Sequence, residues 1–407
     1  KALARGPVGT TFKVQDPPQN QKQSLIKLYS RGQFKHGLQQ ATALLHKFPN
    51  SCFLYNISGV ILRALNQLDA SIEAYTKALA IKPDYAEAYN NMGNALKDQG
   101  KLEEAKEAFK KALANEPDYA EAYNNVGIVL QDQGKLEKAI EAYKKALSIK
   151  PDYADAHNNV GNAAREQGRL EEAIAAYTKA LTIKPDNVQT RHILSALSGQ
   201  TTKAPPREYV EKLFDKYAVH FESSLVGELE YCVPRKLTDI ILKQSSNASL
   251  GSVLDLGCGT GLVGENLNKF CAYLVGVDLS KLMLEQARQK NVYDKLSHSH
   301  MIEYLSNEEL NFDYFISTDV FIYVGDLSDV FRAIKSKNKR SGKLVFSTEH
   351  TELEGFNLEI TGRYSHSKTY IENLCAEFNY ELSHFSTTNL RKEKGKFLTG
   401  GLYILDF

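Results

Sequence analysis

Several features are scarce in this 407-residue chain, and each scarcity narrows its class. Its five cysteines (Cys52, Cys232, Cys258, Cys271, Cys375) are odd in number, widely spread and without a Cys-x-x-Cys pair. That pattern argues against a disulfide framework and against a zinc site, so no metal is expected. No uninterrupted apolar run approaches the ~18 residues that a membrane-spanning helix needs. The start from Lys1 to Gly9 is basic, contains glycine and proline, and has no signal-peptide apolar core. A reducing cytoplasm fits these absences, with no membrane partner. Because the first residue is Lys1 rather than Met, a trimmed chain is expected. Charge of one sign is missing too: 50 Lys and Arg face 49 Asp and Glu, a formal net charge of +1. Nothing global therefore recommends a polyanion. The balance hides an asymmetry, with 27 basic and 21 acidic residues through Ala204 (+6) and 23 and 28 from Pro205 onward (−5). A hydrophobic share of 43% and a charged share of 24% exclude wholesale disorder, and the length suits two or three domains.

The first half is periodic. Proline falls at Pro49, Pro83, Pro117, Pro151 and Pro185, a constant step of 34 residues. Glycine keeps that period at Gly59, Gly93, Gly127 and Gly161, and again at Gly32, Gly100, Gly134 and Gly168. So do Tyr75, Phe109, Tyr143 and Tyr177, and Ala78, Ala112, Ala146 and Ala180. Each unit reads as two amphipathic helices turned by glycine and ended by proline. The expected division is a disordered leader over 1–17, then a solenoid over 18–198. Its repeats are 18–51, 52–85, 86–119, 120–153 and 154–187, with a capping helix over 188–198 that shields the last apolar face. A linker over 199–207, with Pro205 and Pro206, separates it from a second domain over 208–407.

The unit resembles the tetratricopeptide repeat, which implies a right-handed superhelix whose first helices line a concave groove. On that resemblance Asn91, Asn125 and Asn159, flanked by Asn90, Asn124 and Asn158, face the groove. Side-chain amides carry both donor and acceptor, so a protein or peptide in extended form is one expected partner. A scaffolding or self-assembly role for the array is the other.

Beyond the linker short apolar strands alternate with helices, the pattern of an α/β doubly wound sheet. Strands are expected at Ser252 to Leu256, Tyr273 to Asp278, Leu296 to His300, Tyr314 to Asp319 and Lys343 to Thr348. The sharpest local signal is Val253-Leu254-Asp255-Leu256-Gly257-Cys258-Gly259-Thr260-Gly261, a strand entering three alternate glycines. Glycines there permit a tight turn and close approach to a ligand. Gly259 to Gly264 also satisfies Gly-x-Gly-x-x-Gly, so a nicotinamide dinucleotide competes for the loop. Asp255 beside phosphates would be repulsive, whereas beside an ammonium or sulfonium group it is favourable.

The strand, the glycine loop and a second strand ending in Asp278, followed by Leu279-Ser280-Lys281-Leu282-Met283, closely resemble the class I S-adenosylmethionine-dependent methyltransferases. The resemblance covers roughly Glu208 to Phe407 and implies a Rossmann-like, seven-stranded domain that binds S-adenosylmethionine. It implies that Gly257, Cys258, Gly259 and Gly261 underlie the methionine and ribose, and that Asp278 takes both ribose hydroxyls. Leu279 and Met283 would pack near adenine. At the adenine amino position, where the family has an acidic residue, this chain has His300. Neutral histidine can accept one hydrogen bond there and protonated histidine none, so a pH-dependent affinity is expected.

Thr318, Asp319 and Tyr323 match the fourth-strand end where methyl donor meets acceptor. Asp319 and Tyr323 are the catalytic candidates, and Thr318 a cofactor contact. Tyr209 to Phe221, including Tyr217, resembles a lid helix. Arg363 and His366, with Tyr364 between them as a substrate candidate, could hold an anionic acceptor, the alternative being a turn whose Tyr364 packs and whose Ser367 starts a helix from Lys368 to Phe378. The basic runs Lys335 to Lys343 and Arg391 to Lys396 read as solvated loops. A nucleic acid is disfavoured as substrate by the −5 of this half. The resulting expectation is a repeat-containing methyltransferase acting on a small molecule or on a protein recruited by the solenoid. A non-catalytic scaffold and an NAD-dependent oxidoreductase remain the alternatives.

Overall fold

The computed structural model describes residues 16–218, 221–245, 249–307, 309–393 and 395–407. The expected disordered leader lies outside them except for its last two residues. The chain divides into two compact units, one ending at Pro185 and one running from Asp186 to Phe407.

The described part of the first unit is five helix pairs: α1 (Gln19–Ser30) with α2 (Phe34–Leu45), α3 (Cys52–Ala64) with α4 (Leu68–Ile81), α5 (Ala86–Asp98) with α6 (Leu102–Asn115), α7 (Ala120–Asp132) with α8 (Leu136–Ile149), and α9 (Ala154–Glu166) with α10 (Leu170–Ile183). The shared period of glycine and aromatic has a steric cause. A Cβ on Gly59, Gly93, Gly127 or Gly161 would stand 2.4 to 2.6 Å from a ring carbon of Tyr75, Phe109, Tyr143 or Tyr177. Glycine in the first helix of each pair is what admits the ring of the second. The turns at Gly32, Gly100, Gly134 and Gly168 have positive φ, and in the second repeat Asn66 (φ 57°) takes the same conformation.

The second unit opens with α11 (Val188–Leu197), α12 (Arg207–Tyr217) and α13 (Val233–Gln244). It continues with β1 (Ser252–Leu256), α14 (Leu262–Leu267), β2 (Tyr273–Asp278), α15 (Lys281–Lys290), β3 (Lys295–His298), α16 (Met301–Asn307), β4 (Tyr314–Ser317) and α17 (Ser328–Lys337). It closes with β5 (Lys343–His350), β6 (Phe356–Leu358), β7 (Tyr364–His366), α18 (Lys368–Phe378), β8 (Glu381–Glu393) and β9 (Lys396–Asp406). Seven strands form the order β3-β2-β1-β4-β5-β9-β8, with β9 antiparallel to both neighbours and the first five parallel. The short β6/β7 hairpin extends β5 past the end of β4, since Glu349 pairs with Ser365 on one side and Gly400 on the other.

Residues alternate between two apolar layers with the period of two that a strand dictates. Leu254, Leu256, Phe315, Leu344, Phe346, Tyr403 and Leu405 face one layer, and Val253, Ile316, Val345, Leu402 and Ile404 the other.

Two expectations about boundaries change. The division falls at Pro185, and the helix expected to cap the solenoid over 188–198 belongs to the second unit. His192 of α11 bonds the Gly362 carbonyl at 2.9 Å, and Ala196 packs with Leu358 and Tyr364. The stretch read as a linker is pinned to the same unit: Leu358 N–H donates to Thr201 Oγ1 (3.3 Å), Thr202 bonds the Tyr364 hydroxyl (2.6 Å), and Asp326 N–H donates to the Lys203 carbonyl (2.8 Å). Prolines mark extended backbone, but neighbouring polar groups decide whether that backbone is free. A further change concerns Arg391, expected within a solvated loop from Arg391 to Lys396: it lies near the end of β8 and is only 5% exposed, whereas Lys392 is half-buried and Lys396 exposed.

Candidate functional site

The chain order reverses between β1 and β4, and the loops after β1, β2 and β4 meet at that switch point, where open α/β sheets bind ligands. Gly257, Gly259 and Gly261 all have positive φ (74°, 53° and 95°), which explains glycine at alternate positions. Gly257 N–H donates to the Val277 carbonyl at 2.8 Å, tying the loop to β2. A Cβ on Gly257 would collide with Val320, 2.4 Å away, whereas one on Gly259 would enter open space, its nearest neighbour being Phe221 at 4.0 Å.

Asp278 ends β2 beside that space. One carboxylate oxygen accepts from Gly259 N–H and the other from Ser280 N–H, both at 2.8 Å. The Leu279 N–H acts on the same carboxylate. Burial pushes this carboxyl above its ordinary range, while the amide bonds and His298 pull it back. The cap of α15 is Ser280, whose Oγ accepts from Met283 N–H at 3.1 Å, so Asp278 is not merely a helix cap. Ser280 Oγ also donates to Asp215 of α12 (2.6 Å), and Phe214 packs edge-on to Tyr323 with ring centroids 5.1 Å apart. Helix α12 thus covers both loops, as a lid would. The expected lid segment includes residues 219 and 220, which lie outside the described residues.

The remaining candidates separate. Leu279 is half-buried and Met283 is buried. Cys258 is buried, and burial drives its thiol well above the usual range, so it packs rather than reacts. Asp255 does not face the open side of the loop. Strand alternation puts it on the same face as Val253, fully buried, where it accepts from the Tyr293 hydroxyl at 2.6 Å. Burial raises its carboxyl to about 7. His300 is half-buried, and burial and the nearby Arg207 lower its pKa, leaving a neutral ring with an acceptor nitrogen at neutral pH. Tyr217 lies exposed at the end of α12.

Tyr364 and His366 cannot present polar groups to an acceptor. Both are fully buried on β7; Tyr364 bonds Thr202, and His366 bonds the Gly325 carbonyl at 2.9 Å. Burial lowers the His366 pKa to about 4.

Asp319 and Arg363 instead meet in a cluster with residues the sequence reading did not single out. Asp319 sits just past β4 in a left-handed conformation (φ 59°) and donates its N–H to Ser347 Oγ at 2.9 Å. Arg391, from β8, bonds Asp319 with one terminal nitrogen and Glu349 with the other, the second at 2.6 Å. Arg363 bonds Glu349 (2.5 Å) and Glu393. Burial opposes the Arg391 charge, but Asp319 and Glu349 reverse that effect and raise its pKa. Tyr323 lies beside Arg363, Asp319 and Arg391, and burial raises its phenol, which stays protonated. Thr318 is half-buried at the same strand end. Because Arg391 lies 72 residues beyond Asp319 within a run of charges, no local signal marks it.

In the solenoid the predicted groove amides pair with one another. Asn91 donates to Asn56 (3.1 Å), Asn125 to Asn90 (2.8 Å) and Asn159 to Asn124 (2.9 Å). Each amide is therefore partly engaged in joining successive repeats. Among the described residues no helix is long and apolar enough to cross a membrane, and no group of three or more His, Cys, Asp or Glu is placed to hold a metal.

Comparison with known proteins fits this division. Residues 84–152 and 118–186 match a family described as Tetratricopeptide repeat, residues 59–100 one described as TPR repeat, and residues 254–346 one described as Methyltransferase domain. A ubiquinone biosynthesis O-methyltransferase of Coxiella burnetii is 27% identical over 157 residues, 38% of this chain and 64% of that protein. A malonyl-[acyl-carrier protein] O-methyltransferase of Bacillus cereus is 30% identical over 142 residues, 34% of this chain and 52% of that protein. The chain thus spans less than two thirds of the length of these curated relatives. The crystal structure of MamA is 30% identical, with a TM-score of 0.35, over 39% of this chain and 93% of that one. The chain therefore joins tetratricopeptide repeats to a methyltransferase domain with a Rossmann-like sheet.

Proposed function

We propose that the second unit transfers a methyl group from S-adenosylmethionine to a small molecule or to a protein recruited by the repeats. The observation that carries this reading is Asp278: a carboxylate at a strand end, held by backbone N–H groups and bonded to Gly259 of the glycine loop. A carboxylate in that place suits a pair of vicinal hydroxyls such as those of ribose. Gly257 and Gly261 shape the loop under the cofactor, Leu279 and Met283 supply the apolar side, and neutral His300 offers one acceptor for the adenine amino group. When bound, S-adenosylmethionine supplies an electrophilic methyl group on a sulfonium. The protein's task is then alignment and exclusion of water, served by α12 lying across the loops through Phe214 and Asp215. Asp255 tunes the loop from below through Tyr293, whose hydroxyl accepts from Gly264 N–H at 3.2 Å.

Calorimetry on the full chain with S-adenosylmethionine, its demethylated product and NADH tests the reading. The two adenosyl compounds should bind, and Asp278→Ala should weaken both by roughly 10- to 100-fold, the loss of charged hydrogen bonds worth about 1.5–3 kcal/mol. Affinity should stay level from pH 6.5 to 8 and fall on acidification as His300 protonates. Binding of NADH alone would overturn the proposal.

A further inference from the structure

Resting on that reading of the site, we propose that the group methylated is a neutral hydroxyl, that Asp319 receives its proton, and that Arg391 is the residue that positions Asp319. The cluster at the ends of β4 and β5 gathers three carboxylates (Asp319, Glu349, Glu393) and two guanidiniums (Arg363, Arg391). Its formal sum is one negative charge. Both terminal nitrogens of Arg391 are engaged by carboxylates, and Arg363 holds two more contacts of the same kind. An anionic acceptor would bring like charge to a nearly dry site whose cations are already paired.

One group of the cluster is left over. Asp319 Oδ1 is buried and has no hydrogen-bond partner, although Oδ2 of the same carboxylate is held by Arg391. Buried acceptors without partners are rare in folded proteins and call for an explanation. Asp319 also holds a left-handed backbone conformation, uncommon outside glycine, with its N–H on Ser347 and its side chain on Arg391. The chain continues directly into Val320, whose side chain packs against Gly257 of the cofactor loop. Asp319 is thus the chain neighbour of the residue that packs against the loop under the methyl donor.

The chemistry balances without another reactant. The acceptor oxygen attacks the methyl carbon, the C–O bond forms as the S–C bond breaks, and the sulfur leaves as a neutral thioether. The hydroxyl proton passes to Asp319 Oδ1. Its arrival neutralises the cluster's surplus negative charge as the sulfonium charge disappears. Arg391 touches no reacting atom. It keeps the carboxylate aimed.

The test incubates the full chain with methyl-labelled S-adenosylmethionine and a bacterial extract, and then asks what bond holds the label. A methyl ether survives alkali and is released by hydriodic acid; a methyl ester loses its label as methanol in alkali. Alkali-stable, acid-released label supports the inference. Alkali-labile label, or label that neither treatment frees, overturns it while leaving cofactor binding intact. Failure of the wild-type chain to bind S-adenosylmethionine would instead overturn the reading on which it rests. Asp319→Asn should lower kcat at least 100-fold with cofactor affinity changed less than twofold. Arg391→Met should lower kcat, and Arg391→Lys should recover part of it. Unaltered kcat in Asp319→Asn overturns the inference, as does loss of kcat in Arg391→Met only in step with cofactor affinity.

Discussion

In the solenoid, Gly59, Gly93, Gly127 and Gly161 stand where aromatic rings leave no room for a Cβ, whereas in the second unit Gly259 stands beside open space. The first set is glycine for packing and recurs because the helix pair recurs. The second is glycine for a site, kept by backbone conformation and by what must enter. Polar groups divide the same way. Solenoid amides meet each other at regular intervals, while the second unit buries Asp255, Glu349, Arg391, His192 and His366 in unique surroundings. Repetition spreads stability evenly, and irregular burial concentrates chemistry.

The largest test of this contrast is acid. His366 is fully buried with its pKa lowered to about 4, against an ordinary 6.5. Its neutral form stabilises the second unit fully above pH 6.5, and that contribution, up to about 3 kcal/mol, is lost as pH falls from 6.5 toward 4. The histidines of the first unit (His36, His46, His157) are exposed or half-buried. Protection factors for hydrogen exchange at β7 should therefore fall on acidification before those in α5 to α8 do. His366→Gln should flatten the β7 response; an unchanged acid response would show that other groups govern it.

A smaller effect separates the two kinds of glycine. Gly127→Ala forces a Cβ to 2.4 Å from the Tyr143 ring, at an overpacking cost of up to about 3 kcal/mol, offset by about 1 kcal/mol of helix propensity. Thermal unfolding of the first unit should move down, with cofactor affinity unchanged. Gly259→Ala meets only Phe221, in ordinary contact at 4.0 Å, yet should cost about 1–2 kcal/mol through its positive φ and weaken S-adenosylmethionine more than tenfold. Equal affinity in Gly259→Ala and wild type would break the distinction. The smallest effect is Asn125→Ala, which removes one inter-repeat hydrogen bond and should cost the solenoid about 1 kcal/mol in urea unfolding.

The sequence by itself determined the repeat, the five central strands and the glycine loop, because each is encoded within a few neighbouring residues. Steps of 34, alternation of two and spaced glycines remain visible without knowing what packs where. It also determined Asp278, whose place follows from the end of an apolar strand. Only the tertiary structure decided the rest. Asp255 looked like a cofactor contact until strand alternation turned it toward Tyr293. Tyr364 and His366 looked like acceptor ligands until the β5, β6 and β7 pairing buried them. Arg391 looked like solvated charge until β8, paired through β9 to β5, carried it between Asp319 and Glu349. Those outcomes depend on partners 38 to 72 residues away for Asp255 and Arg391. A side chain's charge is written in the sequence, but whether it meets water or an opposite charge is fixed by pairings that only the folded sheet creates.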